Sequence, residues 1–130
     1  MRTESQTENG KGKTMNIENL TPAEVADRLK AGSIVLIDVR EPGEFAAERI
    51  HGALLFPLST FDPAALPDTA KREVVFHCGS GVRSAKAVAA CQTAGLSHTA
   101  HMAGGMQAWK AAGLPVISVD PATGKTTDRR

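Results

Sequence analysis

Cysteine is scarce: Cys78 and Cys91 are the only two in 130 residues. Two are too few for a secreted disulfide scaffold, and they lack the paired spacing of a zinc site, so a reducing cytoplasm is the expected compartment. An excess of charge is missing as well, because 15 Lys and Arg face 14 Asp and Glu for a formal +1. That near-neutrality argues against a nucleic-acid-coating or membrane-surface role. No window approaches the roughly 18 uninterrupted apolar residues of a membrane span. The first residues, MRTESQTENGKGKTMN, have charges without the apolar core of a signal peptide. What is present is 42% apolar and 22% charged residues with only 4% aromatics, the composition of one ordinary globular domain. A chain of this length buries enough apolar surface to fold without disulfides or metal.

Residues 1–16 carry only Met1 and Met15 as large apolar side chains and are expected to form a disordered tail. Residues 120–130 look the same and are expected to be a flexible C-terminal tail, leaving a domain over 17–119. Its first helix is announced by Thr21-Pro22-Ala23-Glu24, with Thr21 as N-cap, Pro22 in the first turn and Glu24 closing a capping box. Val25, Ala26 and Leu29 supply its apolar face, and Gly32 ends it. Ile34-Val35-Leu36-Ile37 then reads as a strand covered on both faces, as in a parallel sheet. Similar runs recur at Leu54-Leu55-Phe56 and Val74-Val75-Phe76, with a weaker one at Thr99–Met102. Helix-like segments lie between them near Pro42–Glu48, Ser84–Ala94 and Gly105–Ala112, with Gly95 and Gly113 at the expected C-caps. Alternation of strand and helix predicts a three-layer α/β/α domain around a mostly parallel sheet of about five strands. Ligands bind outside the carboxyl ends of such strands, so Asp38–Arg40, Cys78 onward and Ala103–Gly105 are expected to converge.

Cys78-Gly79-Ser80-Gly81-Val82-Arg83-Ser84 follows a strand directly and opens a helix. Two glycines permit positive φ, and no proline interrupts Gly79–Ser84, so every position offers a backbone N–H. Such a loop curls round its first side chain and aims its donors inward as an anion nest, helped by the positive end of the following helix. The anion is the Cys78 thiolate, whose pKa falls in such surroundings. It is expected to be exposed and to contribute little to packing. His77 is poorly placed as its base, because neighbouring strand residues point to opposite faces.

The loop HCGSGVRS at 77–84 matches the pattern Cys, two variable residues, Gly, one variable residue, Arg, Ser or Thr. With it come Ile37-Asp38-Val39-Arg40-Glu41-Pro42-Gly43-Glu44-Phe45, then Gly104-Gly105-Met106-Gln107-Ala108-Trp109, then Gly113-Leu114-Pro115-Val116. Together these resemble the single-domain rhodaneses, sulfurtransferases of the thiosulfate type, across Ile17–Val119. Glu48-Arg49-Ile50-His51-Gly52-Ala53 departs from the Gly-His-Ile-Pro-Gly-Ala usual there.

The resemblance implies double displacement. Cys78 takes the outer sulfur of a small anionic donor such as thiosulfate, becomes a persulfide, and yields the sulfur to cyanide or a thiol. It implies Cys78 and Arg83 as catalytic residues, with Gly79, Ser80, Gly81, Val82, Arg83 and Ser84 as the substrate-binding loop, and no cofactor or metal. A persulfide-carrying protein is a further candidate donor. Asp38 and Arg40 support the site. Their structural reading has Asp38 bonding loop N–H groups and Arg40 pairing with Glu44 four residues on, and it is preferred over an acid and a substrate clamp. Cys91 shares a helix face with Ala87, Val88 and Ala94 and reads as core, not as a resolving thiol. Met106 and Trp109 read as packing, Gly104 and Gly105 as points of close backbone approach, and His98 and His101 as solvated or turn residues without metal-ligand spacing.

Two other functions compete. Dual-specificity phosphatases use a similar loop with five residues between Cys and Arg, whereas Gly79–Val82 are four. One missing residue removes up to about 3.5 Å of chain, and so small a cradle suits one sulfur better than a phosphate group. A regulatory or redox-sensing module is the other, although inactive rhodanese-like domains usually lack the cysteine kept here. The loop Gly79-Ser80-Gly81-Val82 also resembles that of mercaptopyruvate sulfurtransferases, where Thr usually stands in place of Arg83. Thiosulfate users carry basic residues directly after the cysteine, and Gly79 and Ser80 are uncharged, so weak thiosulfate affinity is expected.

Overall fold

The computed structural model describes residues 16–69 and 71–129. The expected N-terminal tail falls almost wholly on residues 1–15, outside that range. Strand β1 (Glu18–Leu20) leads into helix α1 (Pro22–Ala31). The helix is capped as its sequence requires: Glu24 N–H donates to Thr21 Oγ1 at 3.2 Å and Thr21 N–H to Glu24 Oε1 at 2.8 Å. The chain continues through β2 (Ile34–Asp38), α2 (Pro42–Ala47), β3 (Glu48–Arg49) and β4 (Leu54–Leu55). Two single 3₁₀ turns follow, at Leu58–Thr60 and Pro63–Ala65, and then β5 (Glu73–His77) and α3 (Val82–Thr93). The last elements are β6 (Ala100–Met102), α4 (Gly105–Ala111), β7 (Ile117–Val119) and β8 (Thr126–Asp128).

Five strands form one sheet in the order β1-β6-β5-β2-β4, every neighbouring pair parallel. Parallel neighbours need crossover connections, and the helices that make them cover both faces. One face packs Leu36, Val75 and Met102 against Val25 of α1 and Met106 and Trp109 of α4. The other packs Ile37 and Phe76 against Ala87, Val88 and Cys91 of α3. Full burial of β2 on both sides explains its unbroken branched run. The three-layer α/β/α expectation is therefore met, with five parallel strands.

A second sheet of order β3-β7-β8, antiparallel throughout, lies beyond that expectation. The domain boundary expected at 119 falls inside it. Beyond Val119 the chain turns at Asp120, whose carboxylate accepts from Ala122 N–H at 2.9 Å. It then returns as β8, pairing Thr126 with Val119. Backbone hydrogen bonds hold this hairpin, since all three residues of β8 are exposed, and a strand without an apolar face leaves no pattern in sequence.

Candidate active site

β2 and β5 are neighbours, as are β5 and β6, so their carboxyl ends bring Asp38, Cys78 and Gly104–Gly105 to one edge of the sheet. The loop after β5 closes on the Cys78 sulfur. Gly81 N–H donates to Sγ at 3.1 Å and Ser84 N–H at 3.3 Å, while the Ser84 hydroxyl stands 3.6 Å away. Gly81 takes φ of 106°, a left-handed value that favours glycine, and in that conformation its N–H turns inward. Burial pushes the Cys78 thiol up, but the Ser84 hydroxyl and the N–H groups of Ser84, Gly81 and Ser80 outweigh it and hold it below the ordinary thiol value.

Helix α4 shapes the nest from behind. Met106 N–H donates to Cys78 O at 2.8 Å and Gln107 N–H to Gly79 O at 3.1 Å. Each carbonyl drawn toward α4 turns the N–H of the next residue the opposite way, which aims the Gly79 and Ser80 amides into the loop. This approach needs glycine at 105, because a Cβ there would collide with Cys78 O and stand 2.7 Å from Gly79 C. Close backbone approach is thus what Gly105 permits.

Beneath the loop lies a buried charged cluster. Arg40 grips Asp38 through Nη2 to Oδ2 at 2.8 Å and Nε to both carboxylate oxygens at 3.1 Å, and its Nη2 also donates to Glu48 O. Asp38 Oδ1 accepts from Arg40 N–H at 3.0 Å, so the expected bond from the carboxylate to a loop N–H is present. Burial raises the Asp38 carboxyl, and the His77 and Arg40 contacts overcome this and hold it at about 2. His77 is buried, with Nδ1 3.3 Å from Cys78 O and Nε2 3.4 Å from Asp38 Oδ2. It faces Asp38 and not the sulfur, as strand alternation requires.

Three readings need correction. Arg40 does not pair with Glu44, because α2 starts only at Pro42 and a residue ahead of a helix has no i+4 neighbour on its surface. Glu44 instead binds Arg83, at 2.6 Å to Nη1 and 3.0 Å to Nη2, a bond that holds its carboxyl at about 2. Cys78 is buried rather than exposed, since the loop wraps its own nucleophile. His101 is no solvated histidine: it lies on β6, 6% exposed, bonded to Ser84 Oγ and to Asn19. A polar residue inside a strand buried on both faces was the signal for a partnered side chain. Val82 opens α3 and is 62% exposed. Cys91 is buried in the core, and burial alone raises its thiol to about 11. Among the described residues no helix is long and apolar enough to cross a membrane.

The family model described as Rhodanese-like domain matches residues 21–112. The chain is 36% identical over 103 residues to an uncharacterized protein of Synechocystis sp., across 79% of this chain and 58% of that one. It is 43% identical over 95 residues to the probable adenylyltransferase/sulfurtransferase MoeZ of Mycobacterium tuberculosis, across 69% of this chain and 24% of that protein. It therefore spans less than two thirds of either relative. The crystal structure of a rhodanese-related protein from Thermoplasma volcanium superimposes with a TM-score of 0.65 at 28% identity, over 76% of this chain and 96% of that one.

Proposed function

The chain belongs to the rhodanese-like domain family, and from that premise we propose that it is a sulfurtransferase working through a Cys78 persulfide. The observation that carries this reading is the Cys78 sulfur itself, which receives N–H bonds from Gly81 and Ser84 of the loop that follows it. In the first half-reaction the Cys78 thiolate attacks the outer sulfur of thiosulfate. A Cys–S–S bond forms, the bond from outer sulfur to the sulfonate breaks, and its electron pair leaves with sulfite. In the second, cyanide or a thiolate attacks the terminal persulfide sulfur and the pair returns to Cys78, giving thiocyanate or a new persulfide. Three negative charges enter and leave the first step, two the second, so no oxidant or reductant is consumed. The nest serves both states, because its donors hold whichever sulfur carries the charge.

Arg83 is the loop's cation, yet it spends its charge on Glu44. An anionic donor therefore meets a nearly neutral mouth, which supports weak affinity for thiosulfate and leaves room for a thiol-borne sulfane sulfur, including a protein persulfide, as donor. Incubation with thiosulfate, followed by intact mass, is the decisive experiment. One added sulfur is expected on the native protein and none on Cys78→Ala; a native protein that gains no sulfur from thiosulfate or from a low-molecular-weight persulfide refutes the reading.

A further inference from the structure

Behind Ser84 stands a side chain for which sulfur transfer, as set out above, has no use. His101 Nδ1 lies 2.8 Å from Ser84 Oγ, and its Nε2 lies 2.7 Å from Asn19 Oδ1. Asn19 is its register partner on β1. An amide oxygen only accepts, so Nε2 carries the proton and Nδ1 of the neutral ring is bare. Ser84 has one hydroxyl proton and two claimants for it, Nδ1 at 2.8 Å and Gly81 O at 3.2 Å. The nearer is the histidine. With its proton so committed, Ser84 Oγ turns lone pairs toward Cys78 Sγ 3.6 Å away and accepts from the thiol. Donors thus run in one direction, from Cys78 S–H through Ser84 O–H to His101, with Asn19 fixing the tautomer at the far end.

We infer that His101 is a positioning residue which, through Ser84, takes up the proton that leaves Cys78. In the step the S–H bond breaks as that proton joins Ser84 Oγ, while the original Ser84 proton passes to His101 Nδ1. No proton is gained or lost. The product is a thiolate accepting from Ser84 O–H, Ser84 N–H and Gly81 N–H, beside an imidazolium whose two N–H groups meet Ser84 Oγ and Asn19 Oδ1. The thiolate thereby gains a side-chain donor that the thiol lacks.

The groups that face the ring are Asn19 from β1, Gly81 and Ser84 from the loop and α3, and Cys78 through Ser84; its partner on β5 is the uncharged Phe76. His77, next on that strand, points to the opposite face toward Asp38. Burial lowers the basicity of His101, so the imidazolium is favoured only while the thiolate is there to balance it. The inference deepens the sulfurtransferase reading and rests on Cys78 as its nucleophile.

The test follows Cys78 titration by thiolate ultraviolet absorbance and by iodoacetamide alkylation rate against pH, on folded native protein and two variants. His101→Gln keeps a hydrogen-bonding side chain but holds no proton. It should move the profile up by about one pH unit, so that alkylation on the acid limb is about tenfold slower. Asn19→Asp, at an exposed strand-edge position, stabilises the imidazolium and should move the profile the other way, about threefold faster on the acid limb. That gain should vanish in the double variant. A His101→Gln profile superimposable on the native one, or an Asn19→Asp shift that survives without His101, overturns the inference. If His101→Gln does not fold, Asn19→Asp decides alone, and an unmoved profile refutes it. Sulfur loading by thiosulfate, read by intact mass on the same proteins, separates the two ideas: shifted profiles without loading keep the relay and sink the sulfurtransferase reading, and unmoved profiles with loading do the reverse.

Discussion

Replacing Glu44 by Gln tests whether the mouth of the loop selects its donor by charge. Glu44 and Arg83 are 40% and 33% exposed and meet at 2.6 Å, so water screens them and a water-like dielectric applies. For a donor charge roughly 7 Å from the carboxylate, each unit pair is worth about 0.6 kcal/mol in that dielectric. Thiosulfate, a dianion, should then gain about 1.2 kcal/mol, close to sevenfold in kcat/KM. Mercaptopyruvate, a monoanion, should gain about half that energy, nearer threefold. The substitution leaves the local fold in place, because Glu44 Oε1 also accepts Glu41 N–H at 2.9 Å as part of the α2 capping box and a glutamine amide oxygen accepts equally well. Steady-state kinetics with both donors, at low and high salt, gives the answer. The gain should be larger for the dianion and should shrink as salt screens it. An unchanged or lowered kcat/KM for thiosulfate, or equal changes for both donors, would show that the Glu44–Arg83 pair shapes the loop without selecting what enters it.

Cys91→Ser should keep turnover within about twofold of native while costing about 1–3 kcal/mol in urea unfolding, since a hydroxyl replaces a thiol in the core; lost turnover at native stability would make Cys91 a resolving thiol instead. Gly105→Ala puts a methyl group against the Cys78 and Gly79 backbone at a φ of 58°, so transfer should fall at least about tenfold and stability by about 2 kcal/mol or more. Native rates in that variant would remove α4 from the construction of the nest. Acid stability should carry the mark of Asp38, whose carboxyl sits at about 2 when folded against an ordinary 3.8. Its contribution is full above the unfolded value and is lost as pH falls through the folded one, about 2 kcal/mol between roughly pH 4 and pH 2. Urea unfolding across that range should show the loss, and a flat profile would mean that Asp38 is not held ionised by Arg40 and His77.

Legibility in the sequence followed the range of the forces involved. Helix α1 could be read to its first residue, because its cap is a bond between Thr21 and Glu24, three residues apart. Strands β2 and β5 could be read because burial on both faces writes an unbroken apolar run. Strand β8 could not, since nothing on it is buried. The nest was legible for the same reason as the cap, because its glycine spacing and the Gly81 and Ser84 bonds to the sulfur lie within seven consecutive residues, whereas its backing by α4 does not. Its electrostatics were not, because the partner of Arg83 is 39 residues away and that of His101 is 82 away. A motif read by itself assigns Arg83 a free positive charge, and the fold spends that charge on Glu44. It also makes His101 a surface residue, whereas the fold sets it two hydrogen bonds from the nucleophile. Loop chemistry is therefore written locally, and the charge and proton balance that tunes it is written in whichever strands and helices the sheet order brings alongside.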